Sequence, residues 1–149
     1  DYFVGLLTLV VRRSALHTLK YICDPRFHLI GDFDLVIRLS INWKMDCIQE
    51  PIAIYRLHDG NETGRHPVRS LDEIECWTKE ARLVPAIQMS TNFEYFENKG
   101  TYMRAKQLIL DGDRSGAYSV SKSLPWDQRR LKLWIAMLLP RFWVRRISR

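Results

Sequence analysis

Two carboxylates two positions apart, Asp32 and Asp34 in the stretch GDFDLVIRLS, are the first residues of this chain able to do chemistry. A carboxylate beside a hydroxyl can act as a general base. On a helix such a pair points to opposite sides, so it converges on one site only if Asp32 stands just before the helix and Asp34 within it. Both residues also have ordinary structural roles. An Asp directly before an apolar-periodic run is a standard helix N-cap, and Asp34 with Arg38 makes an exposed i,i+4 ion pair.

A second group is Tyr55-Arg56-Leu57-His58, followed by Asp59-Gly60-Asn61. A strand that delivers a His into a polar loop can offer imidazole to a metal or phosphate, and Arg56 can add a fork of donors. Equally, Asp-Gly makes a turn and His58 is solvated. His58, His66 and Asp59 match no standard zinc spacing. Asp111, Asp113, Ser115 and Gly116 match the first half of a calcium loop, but Lys122 stands where a bidentate Glu is required, which favours a helix-connecting turn. Asn61-Glu62-Thr63 is a formal glycosylation sequon, relevant only in a secreted protein.

The elements that must position these residues follow from periodicity. The apolar run 2–11 is about half of the roughly 18 to 20 residues a membrane span needs and reads as a buried strand. Residues 14–21 read as a short helix, and Asp24-Pro25 as a turn. In 32–42, Phe33, Val36, Ile37 and Ile41 recur at helical spacing with Asp34 and Arg38 opposite, which predicts an amphipathic helix opening at Gly31-Asp32. Runs 45–48 and 52–57 suit short strands, and 58–67 a polar loop.

Ser70 and Glu73 have the spacing of a capping box, so a long helix should start at Ser70, its stripe formed by Leu71, Ile74, Trp77, Ala81 and Val84. Pro85 should kink or end it. Further helices are expected over 101–110, with Gly112 as a stop, over 116–123, and from Trp126 onward. The expected organisation is α/β over residues 1–68 and helical over 69–149, closing with a basic amphipathic tail at 124–149.

At 149 residues and 46% hydrophobic, the chain has material for one cored domain, and 7 Gly and 6 Pro exclude a collagen-like segment. Its net charge of +6 resides wholly in the tail, since 1–123 holds 16 basic and 16 acidic side chains while 124–149 holds seven basic residues and Asp127. Trp126, Trp134, Phe142 and Trp143 interleave there with arginines. That composition suits either an interfacial helix on anionic lipid or a helix docked on its own domain. No nucleic-acid recognition motif is present. Cys23, Cys47 and Cys76 form no CxxC pair or even-numbered framework, which points to a reducing compartment, and 1–11 lacks the features of a signal peptide.

Taken together, Phe27-x-x-Ile-Gly-Asp-Phe-Asp-Leu-x-Ile-Arg-Leu, then Ile48-x-Glu-Pro-Ile-Ala-x-Tyr-Arg-x-His and Gly60-Asn61, resemble the second half of family 2 glycosyltransferases of the GT-A fold. The likeness covers residues 2–63. It implies the C-terminal half of a GT-A, Rossmann-like α/β domain, with the nucleotide pocket and the D-x-D metal motif lying in an N-terminal half upstream of residue 1. Asp32 falls on the family's general base, which deprotonates the acceptor hydroxyl, and Asp34 lies beside it on the acceptor side. His58 falls on the His that holds the divalent metal, Mg or Mn, or contacts the donor diphosphate, and Arg56 is placed to support that diphosphate. The motif's Glu is replaced here by Gly31.

The resemblance thus implies an inverting transfer from a nucleotide-sugar to a glycan or lipid-linked acceptor in bacterial surface polysaccharide synthesis. The enzyme would be cytoplasmic and peripheral on the inner face of the membrane, and this portion alone inactive. The alternative is a non-catalytic module whose basic amphipathic C-terminal helix binds a membrane or a partner.

Overall fold

The computed structural model describes residues 5–56, 58 and 60–140. Its elements, in order, are a 3-10 turn at Leu6–Thr8 and the helices α1 (Arg13–Leu16), α2 (Gly31–Ser40), α3 (Glu62–Arg65), α4 (Pro67–Ala81), α5 (Pro85–Gln88), α6 (Phe93–Asp111), α7 (Arg114–Ser121) and α8 (Gln128–Leu138). The chain divides into two compact units between Ile87 and Gln88.

The expected α/β architecture is overturned, because the described residues form helices and no strand. Nothing among them makes the twisted sheet of a GT-A domain. Residues 5–11 carry the 3-10 turn instead, and Leu9 and Val11 pack on Ala15, Leu35 and Leu39. Residues 45–56 lie exposed, Ile54 at 84%. A β-branched run becomes a strand only when a neighbour pairs its backbone and covers one face. No described segment does either for 45–56. The loop expected over 58–67 instead contains the short helix α3.

In the first unit the helix expected at Gly31-Asp32 forms as α2, but with a different buried face. Asp34, Leu35, Val36 and Leu39 are buried and Ile41 is exposed. Helix α4 starts at Pro67, three residues before Ser70, because proline's missing N–H and preset φ suit a first helical position. Its inward residues include Leu71, Trp77 and Ala81, as the stripe predicts, together with Glu73. The helix ends at Ala81, and Pro85 opens α5.

The second unit packs α6, α7 and α8 around Ala105, Ile109, Ala117, Leu124 and Leu133. Ala105 and Ala117 are fully buried, and their small side chains let α6 and α7 approach closely. Gly112 ends α6 at φ 91°, with its N–H bonded to the Leu108 carbonyl at 2.9 Å, so the stop signal read at this glycine is a left-handed cap. Helix α6 begins eight residues before position 101. Asp113 caps α7, its Oδ1 accepting from Gly116 N at 2.8 Å, so the half calcium loop is a turn between helices. Asp127 caps α8 by accepting from Arg129 N and Arg130 N at 2.9 and 3.0 Å. The aromatic and basic tail at 141–149 lies outside the described residues, and no described helix is long and apolar enough to cross a membrane.

Candidate functional site

The start of α2 is held from behind by α4. Glu73 directs Oε2 at the two backbone N–H groups just before the helix, Leu29 N at 2.7 Å and Ile30 N at 3.2 Å. Its Oε1 accepts from Arg69 Nε at 3.1 Å. Glu73 therefore satisfies donors on another segment, and the S-x-x-E spacing does not make a capping box. Trp77, one turn further along α4, packs edge-on against Phe33 with ring centroids 4.8 Å apart.

Asp34 belongs to this support. Its Oδ1 accepts from Trp77 Nε1 at 3.1 Å, while Oδ2 accepts from Arg38 Nε at 2.9 Å and lies 2.7 Å from Arg38 Nη2. Arg38 also donates to the carbonyls of Tyr21 and Ile22, both at 2.8 Å, and stacks over the Tyr21 ring. The i,i+4 pair expected from the spacing exists, but it is buried and three-sided where an exposed pair was expected. Burial pushes the Tyr21 phenol up, aided by the negative charges of Asp24 and Asp34.

Asp32 is left in a different state. Helix α2 begins at Gly31, with Ile30 as its N-cap, so Asp32 stands in the first turn and not in the capping position. Its Oδ1 accepts from the adjacent Phe33 N at 2.8 Å, and Oδ2 has no partner among the described residues. A Cβ added at Gly31 would meet no other part of the chain within 4 Å, so the start of α2 is uncrowded at Gly31. Asp32 is partly exposed, and this arrangement leaves its Oδ2 available to an incoming hydroxyl.

The second group lies in an exposed turn. His58 Nδ1 accepts from Gly60 N at 3.0 Å, and His58 O accepts from Asn61 N at 3.0 Å. Asn61 Nδ2 donates to Tyr55 Oη at 3.1 Å and to the Arg56 carbonyl at 3.2 Å. A neutral imidazole that accepts at Nδ1 keeps its proton at Nε2, so His58 here offers a donor, which suits an anionic oxygen better than a cation. Asp59 lies outside the described residues. No group of three His, Cys, Asp or Glu side chains among the described residues could hold a metal ion. A single imidazole with a proton on its outward nitrogen does not fit a divalent metal site by itself. No hydrogen bond or ion pair among the described residues joins Arg56 or His58 to Asp32 or Asp34.

Three residues around the site act as organisers that local sequence pattern does not announce. Glu73 and Trp77 are two of them, and the signal for Glu73 was an acid four positions before Trp77 on the apolar face of α4. The third is Arg26, which chelates the buried Asp24 and reaches Glu80 of α4, with Nη2 at 2.9 Å from Glu80 Oε2. Arg26 holds the Asp24 carboxyl down to about 2. In the second unit an open cleft of about 340 Å³, as apolar as it is polar, is lined by Glu94, Tyr95, Asn98 and Arg129 among others.

No protein-family model, curated protein or solved structure matches this chain.

Proposed function

We propose that this chain supplies the acceptor side of a nucleotide-sugar-dependent glycosyltransferase of bacterial surface polysaccharide synthesis, with Asp32 as its general base. The observation that carries this reading is the unequal commitment of the two carboxylates. Asp34 is consumed by Trp77 and Arg38, whereas Asp32 keeps Oδ2 without a partner among the described residues. The order of the two motifs at 27–39 and 48–61 adds support. The helical architecture adds none.

In the proposed reaction Asp32 Oδ2 takes the proton of the acceptor hydroxyl as its oxygen bonds to the anomeric carbon of the donor sugar. The bond to the nucleoside diphosphate breaks and the diphosphate leaves with the electron pair, inverting the centre. Arg56 and the Nε2–H of His58 are donors of the right kind for its oxygens. The reaction would take place in the cytoplasm.

Asp32→Asn in the enzyme containing this chain tests the proposal. Loss of the base should lower transfer by roughly 10²- to 10⁴-fold with donor affinity nearly unchanged. Transfer at the wild-type rate would remove Asp32 from the chemistry and favour a non-catalytic module in which Asp32 only complements the helix N-terminus.

A further inference from the structure

Helix α8 is apolar on two faces. Its inner face buries Leu133 at 2% exposure, with Met137 packed beside it on the core of α6 and α7. Its outer face carries Leu131, Ile135 and Leu138, exposed at 57%, 50% and 83%. Spacings of four and three residues align these side chains in one outward stripe. A second apolar face is unnecessary for a helix whose core contacts are already made.

The flanks of the stripe differ in character. On one side stands the exposed Lys132. On the other stands Trp134, with Trp126 against it at 5.1 Å between ring centroids. Trp126 is 78% exposed, and the Arg130 guanidinium lies over its ring at 4.2 Å. Trp134 turns its indole N–H inward to Ser121 Oγ at 3.3 Å and Arg130 donates to the Leu124 carbonyl at 2.9 Å, so the exposed Trp126 ring is the outward part of this edge. Of the basic side chains in 124–149, Arg129, Arg130 and Lys132 lie on α8, and the others lie outside the described residues.

From this combination we propose that the outer face of α8 docks on an anionic lipid surface, lying in the plane of the interface. Three aliphatic side chains enter the boundary of the acyl region, the exposed Trp126 sits at headgroup depth, and Lys132 meets lipid phosphates. Charge argues against a second copy as the occupant. A two-fold pairing through this stripe would bring the basic flanks of both chains together. A bilayer rich in acidic lipid meets the apolar and the cationic features together. The proposal stands independently of the role of Asp32.

The test is flotation of the protein with vesicles of phosphatidylcholine alone and with about 30% phosphatidylserine. The wild type should float with the anionic vesicles, weakly with the neutral ones, and less as salt is raised. Ile135→Glu should lower partitioning at least tenfold, and Lys132→Glu should lower it less, with helicity unchanged in both because the side chains point outward. Ile135→Ser, which introduces no charge, serves if the Glu variant loses helicity, and it should also reduce flotation. Failure of the wild type to float, binding indifferent to Ile135, or equal binding to neutral vesicles would overturn the proposal. So would a dimer in solution that Ile135→Glu converts to monomer.

Discussion

Trp77 donates its indole N–H to Asp34 across 3.1 Å, joining residues 43 positions apart in the chain. This bond makes Asp34 a structural residue, because the carboxylate it fills is buried and faces Arg38 on its other oxygen. The same bond fixes α2 on α4, and so determines where Asp32 stands.

Removing the indole donor while keeping an aromatic ring isolates that bond. Trp77→Phe leaves a buried carboxylate oxygen without its partner, and the expected loss is about 1–3 kcal/mol. The midpoint of urea unfolding, followed by helicity, should fall accordingly. A midpoint identical to the wild type would show that Asp34 does not depend on Trp77.

Glu73 should behave similarly, with a local signature. Its carboxylate accepts from Leu29 N and Ile30 N. Glu73→Ala should expose these amides to solvent, and their hydrogen exchange should accelerate more than that of the α6–α8 core. Uniform acceleration throughout the chain would contradict a local anchoring role.

Acid provides a third probe. Arg26 holds the folded-state Asp24 carboxyl at about 2, below the roughly 3.9 of an unfolded Asp. The unfolded state therefore takes up a proton first as pH falls. The stabilisation is complete above pH ~4 and is lost as pH drops toward the folded value near 2. Unfolding midpoints measured from pH 5 to 2, on the order of one point per half unit, should decline more steeply in the wild type than in Asp24→Asn. Parallel curves would show that Asp24 contributes nothing to the acid response.

Gly112 takes a left-handed conformation that L side chains rarely adopt. Gly112→Ala should destabilise the second unit by about 1–2 kcal/mol. Thermal unfolding of the two proteins gives the comparison, and an unshifted transition would show that the turn relaxes without strain.

The contrast between local and distant signals explains how much was legible in the sequence. The helix opening at Gly31-Asp32, most of the stripe on α4, the stop at Gly112 and the turn at Asp113 are each set by residues within a few positions, and each is found near its expected place, although α2 buries a different face from the repeat of Phe33, Val36, Ile37 and Ile41. The strands expected at 2–11, 45–48 and 52–57 had the same kind of local pattern. A strand, however, needs a partner supplied from elsewhere, and periodicity carries no information about that partner. The burial of Asp34 had the same cause. Its spacing to Arg38 was visible, but Trp77 and Glu73 act on α2 from more than 40 residues away. Asp32 was singled out as a candidate, while the feature that distinguishes it from Asp34 emerged only once those distant partners were placed.

In the proposed reaction the two carboxylates of the DFD stretch have separate tasks, one chemical and one structural. Asp32→Asn and Asp34→Asn, compared side by side in the enzyme for glycosyl transfer and for unfolding midpoint, test it directly. Asp32→Asn should lose roughly 10²- to 10⁴-fold in transfer at an almost unchanged midpoint, while Asp34→Asn should lower the midpoint by the equivalent of about 1–3 kcal/mol. Wild-type transfer by a folded Asp32→Asn variant would contradict it.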